Sequence, residues 1–182
     1  AGAATDGTEG DVMTYLPDLY YRYEKLDAAH FRYGIHTEPV DGTYRHFPAS
    51  LVGRYKGYVS DGKLYSRSGV PPTANLTFDE FKMAATARGE GFQLIDFAQH
   101  CQLAMLLYAK YKTRNLQSVL GSGGTSYNEG NETGMRNAFG LTDTTPETAT
   151  GYVQALGIEG IFGCLSEYLD GLYYHNGLWH IT

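Results

Sequence analysis

The sequence predicts an α+β domain, and three observations carry that prediction. Two segments, 78–88 and 96–112, repeat apolar side chains at helical spacing. Each is preceded by a residue able to cap it. The flanking segments are rich in Tyr, Phe, Val and Gly and are broken by Asp-Gly pairs, the marks of strands and tight turns. The 182 residues include 23 Gly and 16 Tyr but only 6 Pro and 1 Trp, so tight turns and amphipathic rings shape the loops. This length suffices for one domain with a buried core.

Residues 1–11 read as a polar, Gly-rich lead-in without the basic and apolar regions of a signal peptide. From Val12 to Ser68 the pattern is strand and loop. Asp41-Gly42 and Asp61-Gly62 read as type I′ turns, in which both central residues take positive φ, and the second pairs Tyr55–Ser60 with Lys63–Ser68. Thr77 and Glu80 form a capping box ahead of a helix that places Phe78, Phe81, Ala84 and Ala85 on one face and closes at Gly89. After an extended link at 91–95, Asp96 and Gln99 start a second helix. Its buried stripe is Phe97, His100/Cys101, Ala104, Leu107/Tyr108 and Tyr111. The two helices are expected to pack together and bury Phe81, Ala84, Phe97, Ala104, Leu107 and Tyr108. From Gly121 to Pro146 the chain reads as loop, and 157–170 reads as strand plus turn. One domain over 12–182 accounts for all of this.

A net charge of −6 without a Lys/Arg cluster argues against nucleic-acid binding, which rests on phosphate neutralisation. The longest apolar runs, such as Leu103–Tyr108, are too short to insert into a membrane. Two cysteines, Cys101 and Cys164, do not make a disulfide scaffold, and both are expected to be reduced and mostly buried. Gly121-Ser122-Gly123-Gly124 lacks the Lys-Ser/Thr end of a phosphate loop. The six His have no zinc-like spacing, and His100 reads as a hydrogen-bonded core imidazole. His100 and Cys101 diverge by roughly 100° on a helix, so they form no dyad. The acidic residues Glu129, Glu132, Asp143, Glu159, Glu167 and Asp170 follow no EF-hand pattern. Asn75-Leu76-Thr77 and Asn131-Glu132-Thr133 match the glycosylation triplet, which chance alone often produces. No catalytic, metal or cofactor residues are therefore assigned.

The aromatic tail, with Tyr173, Tyr174, His175, Asn176 and Trp179, is the candidate ligand-binding site. Tyr and Trp supply large contact area at low entropic cost. The alternative is that Tyr173, Trp179 and Ile181 form an ordinary core strand.

Three segments carry a resemblance. Gly91-Phe92-Gln93-Leu94-Ile95-Asp96 is similar to the segment that opens the second helix in proteins related to the formylglycine-generating enzyme. The stretch from Tyr108 to Ser118, with Gly121, resembles one common in phage tail-fibre and minor structural proteins and in variable proteins of diversity-generating retroelements. Gly157-Ile158-Glu159-Gly160-Ile161-Phe162-Gly163-Cys164-Leu165-Ser166-Glu167-Tyr168-Leu169-Asp170-Gly171 resembles that superfamily's Gly-Leu-x-Asp/Asn-x-x-Gly-Asn-x-x-Glu-Trp segment. Ile95, Cys164 and Tyr168 stand where Pro, Asn and Trp are usual.

The resemblance implies a C-type lectin fold, with two helices, a small mixed or antiparallel sheet and long loops. Domains of this superfamily continue past the third segment. A chain ending at Thr182 is then either completed by a further piece or a compact member. The implied function is that of a non-catalytic receptor-binding domain in a phage or phage-derived protein. It would recognise a host-surface protein or glycan, with a virion tail-fibre, secreted or cell-surface location and a homo-oligomer or partner segment as further expectations. Cys101 and Cys164 do not occupy the late positions of the enzyme's reactive pair. A formylglycine-generating-type enzyme or remnant and a structural virion protein are the alternatives.

Overall fold

A computed structural model describes residues 4, 7–8, 10–124, 132–143, 152–163 and 165–182. It is a mixed α+β arrangement of small antiparallel sheets around three helices. The strand-rich half comes first. Strand β1 (Met13–Leu16) pairs with β5 (Ser50–Gly53). Between them in sequence lies a three-stranded sheet, ordered β3 (Phe31–His36), β2 (Leu19–Lys25), β4 (Arg45–Phe47). Strand alternation puts Leu19, Tyr21, Tyr33 and Phe47 on one face of this sheet, where Leu19 and Phe47 are buried. The other face carries Tyr20, Arg22 and Glu24 with the exposed His36 and His46.

The two Asp-Gly pairs part company. Asp61-Gly62 is the expected turn, with φ of 49° and 70°, between β6 (Tyr58–Ser60) and β7 (Lys63–Tyr65). Those strands are shorter than the sequence implies. At Tyr55 the chain leaves the ladder, and its N–H donates to the Ser66 hydroxyl at 3.1 Å. Asp41-Gly42 is not a type I′ turn, and neither residue has positive φ. β3 and β4 both pair with β2 and not with each other, so the 37–44 connection must cross over β2. Asp41 opens an Asx turn instead, with its carboxylate accepting the Thr43 N–H at 2.8 Å.

Both capping boxes form. In α1 (Phe78–Thr86) the Glu80 N–H donates to the Thr77 hydroxyl at 3.3 Å, and the Thr77 N–H to the Glu80 carboxylate at 2.7 Å. In α2 (Phe97–Tyr111) the Gln99 N–H donates to Asp96 at 2.7 Å, and the Asp96 N–H to the Gln99 amide oxygen at 3.1 Å. Helix α1 ends before Gly89: Ala87 is the cap, in right-handed geometry, and Gly89 closes one further turn onto Thr86. At the end of α2, Lys112 takes the left-handed conformation that glycine usually supplies, with φ of 54°.

The helices do not pack on each other as expected. α1 lies on β7, with Ala84 and Ala85 buried and the Arg88 guanidinium donating to the Leu64 carbonyl at 3.1 Å. A cavity of about 660 Å³ opens between α1 and α2. Leu107 and Ala84 are buried, while Phe81, Ala104 and Tyr108 are only half-buried around that opening and Phe97 is half-buried outside it.

The core is built on a segment that lies between the loop read over 121–146 and the strand read over 157–170, and overlaps the start of the latter. Residues Tyr152 to Gly160 are buried apart from Leu156, which is half-buried. They form a hairpin of β8 (Gln154–Ala155) and β9 (Ile158–Glu159), two residues each, so the strand expected over 157–170 is displaced toward the N-terminus. Leu107 joins Leu116, Leu120, Val153 and Ala155 in one apolar cluster, with Leu116 and Leu120 at the start and end of the short α3 (Gln117–Leu120). Leu103, one helical turn earlier, joins Leu16 and Ile158 in a second. Leu156 touches both, although its φ of 54° puts a branched side chain in a conformation that costs about 1–2 kcal/mol.

A polar network crosses this core. Arg54, 1% exposed, donates to the Gly157 carbonyl at 3.0 Å, the Gly140 carbonyl at 2.8 Å, the Gln154 side chain at 2.9 Å and the Tyr55 hydroxyl at 3.2 Å. Buried Glu159 accepts the Gly134 and Arg136 N–H groups at 2.7 and 2.9 Å, and Arg136 donates to the Tyr152 carbonyl at 2.7 Å. Burial pushes the Glu159 carboxyl up, against those two N–H groups and the charges of Arg54 and Arg136.

Two substitutions test this account by denaturant unfolding. Leu107→Ala is expected to lose about 2–5 kcal/mol through the cavity it leaves. Arg54→Met is expected to lose about 3 kcal/mol or more, because it strands several buried acceptors at once. A loss under about 1 kcal/mol for either would show that its site collapses or hydrates without cost.

Candidate binding surface

The five residues expected at the binding site lie on one element. β10 (Leu172–His175) and β11 (Leu178–Ile181) form a hairpin closed by Asn176-Gly177, with φ of 50° and 79°. The turn is type I′, and Asn followed by Gly is its strongest sequence signal. Asn176 is therefore a turn-former as well as an exposed polar group.

The hairpin is fastened at its base by backbone bonds. The Phe97 N–H donates to the Asp170 carbonyl at 2.9 Å, and the Asp170 N–H to the Ile95 carbonyl at 3.0 Å. Asp170 also pairs with Lys82 at 2.8 Å, which holds its carboxyl below the usual range. Gly171, with φ of 71°, fits closely here: a Cβ on it would stand 2.8 Å from the Thr182 carbonyl oxygen.

Register sorts the side chains onto two faces. Tyr174 stands opposite Trp179, with ring centroids 5.3 Å apart, and shares its face with Leu172 and Ile181. Tyr173 stacks on His180 at 4.9 Å on the other face, with His175 and Leu178. Tyr173 is 49% exposed, Tyr174 61% and Trp179 68%. These residues are strand, but not core strand. Leu178 and Ile181 are as exposed and extend the two faces, Leu178 beside Tyr173 and Ile181 beside Trp179, though the tail's aromatic content alone does not single them out.

The second concavity is the cavity between the helices. Its wall is largely apolar, with Val52, Leu64, Phe81, Leu94, Leu103 and Ile161 among its residues. At its margin the Lys56 ammonium pairs with Glu167 at 2.5 Å. His100 lines it and is exposed, not the buried imidazole the helical stripe suggests, because α1 does not close over that face of α2. Cys101 beside it is a free, half-buried thiol, and burial followed by the nearby Asp96 charge pushes its pKa up. Cys164 lies outside the described residues.

The glycine run has a packing role. A Cβ on Gly163 would come within 2.6 Å of the Ser122 and Gly124 carbonyl oxygens, so Gly121-Ser122-Gly123-Gly124 meets 162–163 backbone to backbone. Of the acidic residues considered in sequence, Glu159, Glu167, Asp143 and Asp170 are each held by a hydrogen bond or ion pair. Among the described residues no group of three His, Cys, Asp or Glu side chains is placed to hold a metal ion. No described helix is long and apolar enough to cross a membrane. No protein-family model matches the chain, and no curated protein matches its sequence.

The thiol chemistry is directly measurable. Cys101 is expected to react slowly with a neutral thiol reagent in the native protein and quickly after unfolding, as followed by peptide mapping. Native labelling as fast as that of the unfolded chain would show an exposed, activated thiol.

Proposed function

We propose that this chain is a non-catalytic receptor-binding domain of C-type lectin fold, from a phage or phage-derived protein. It would work on a virion tail fibre or outside the cell, and its β10–β11 hairpin would contact a host-surface protein or glycan. One observation carries the reading: Tyr174 and Trp179, the two most exposed aromatic rings of the hairpin, are paired on a strand ladder tied to the start of α2. Rings held this way lose little freedom on binding, which is the property that makes Tyr and Trp effective contact residues. The lectin-like fold is supported by the presence of α1 and α2, with the short α3, among small antiparallel sheets, and by the resemblance of the 157–171 segment.

The test is binding of the purified chain to a panel of bacterial cells and immobilised glycans, followed by Tyr174→Ala and Trp179→Ala. Each variant is expected to weaken binding by more than about 1 kcal/mol, roughly fivefold, while the melting temperature stays nearly unchanged. A large drop in melting temperature with unaltered binding would place the contact surface elsewhere. An absence of binding across the panel would remove the reading.

A further inference from the structure

The hairpin has two edges, and they differ. In a two-residue hairpin, the pairs His175–Leu178, Tyr173–His180 and Gly171–Thr182 exchange the ladder bonds. The Thr182 N–H donates to the Gly171 carbonyl at 2.9 Å accordingly. The backbone groups of Trp179 and Ile181 therefore point away from β10. On the β10 side, the Ile95–Phe97 segment already occupies the base of the edge through its bridge to Asp170. Along the outer edge of β11, no strand pairs among the described residues.

Exposed edges are usually defended by Lys, by Pro, by a bulge or by very short strands. Residues 171–182 contain no Lys, Arg, Asp, Glu or Pro, and the β10–β11 register is unbroken, so of these defences β11 has only its short length of four residues. We propose that the outer edge of β11 pairs antiparallel with β11 of a second copy of this chain, making one four-stranded sheet from two hairpins.

The occupant is argued from self-complementarity. With His180 opposite its own counterpart, Trp179 of each copy faces Ile181 of the other, and their outward N–H and carbonyl groups exchange four hydrogen bonds. Residues 178–182 carry no Lys, Arg, Asp or Glu, so no such side chains oppose each other across the pair. Trp179 and Ile181 share a face, so the apolar faces of the two hairpins become one continuous surface. A strand pair lies at the small end of specific interfaces, so the dimer is reversible and concentration-dependent. This inference does not depend on what the aromatic face binds.

Sedimentation of the intact chain over a wide concentration range tests it, read together with emission from Trp179, the only tryptophan. A monomer–dimer equilibrium is expected, with a blue shift of emission as the dimer forms. Ile181→Pro removes an outward N–H without touching the β10–β11 ladder, and is expected to give a monomer with an unchanged melting temperature. His180→Cys places two thiols at a non-hydrogen-bonded antiparallel pair, close enough to bridge, and is expected to give a covalent dimer under mild oxidation. Tyr173→Cys, on the inner strand, is not. A chain that stays monomeric at all concentrations overturns the proposal. So does a dimer that survives Ile181→Pro, or one that never links through His180→Cys. A chain that is always monomeric but loses cell binding in Ile181→Pro would assign the edge to a receptor strand instead. Loss of cell binding in Tyr174→Ala bears on the ligand surface alone.

Discussion

The arrangement depends on one buried guanidinium. Arg54 sits where the β1–β5 ladder, the 137–143 turn and the β8–β9 hairpin converge, and it donates to acceptors on the last two. A charge removed from water this completely is tolerated only when its donors are nearly all engaged. Each of those acceptors comes from a segment with little regular structure of its own, since β8 and β9 are two residues long apiece. Apolar burial can gather such segments but cannot orient them. The directed bonds of Arg54, and the Glu159 bonds to Gly134 and Arg136, set the angle at which the hairpin enters the core.

Helix α2 relays that order to the surface. Leu103 and Leu107 lie one turn apart and enter two different apolar clusters, so the helix is anchored along its length. Its first turn is then a fixed platform. The Asp96 cap, the Phe97 N–H bond to Asp170 and the Lys82–Asp170 pair connect that platform to the exposed hairpin. Tyr168, ringed by Phe78 and Phe81, adds a contact between α1 and the segment leading into the hairpin. The cavity between the helices is the counterpart of this layout: α1 is committed to β7 and leaves part of α2 uncovered.

Features whose cause is local were legible in the sequence. The two capping boxes, the Asp61-Gly62 turn and the burial of Leu107 follow from residues within a few positions of each other. What depends on distant partners was not. Asp41-Gly42 has the same local signal as Asp61-Gly62, but strand order forces a crossover there. His100 lies on the apolar stripe of its helix, yet its exposure depends on where α1 packs. The 152–160 segment carries Gln154, Glu159 and two glycines, a composition that reads as surface until Arg54 and Arg136 are brought to it. The aromatic tail was singled out by composition, and its Asn176-Gly177 turn was there to be read as well. Its exposure on both faces was a tertiary outcome.

The hairpin is also held almost entirely by its backbone. Its turn needs two residues that accept positive φ, and its base needs Gly171 and the main-chain bonds to 95–97. Between those fixed points, positions 173, 174, 178, 179 and 181 contribute little to the core, because their side chains face water. Sequence at these positions is therefore decoupled from foldability. A lineage under pressure to change what it touches could rewrite that strip residue by residue, each variant inheriting the same scaffold.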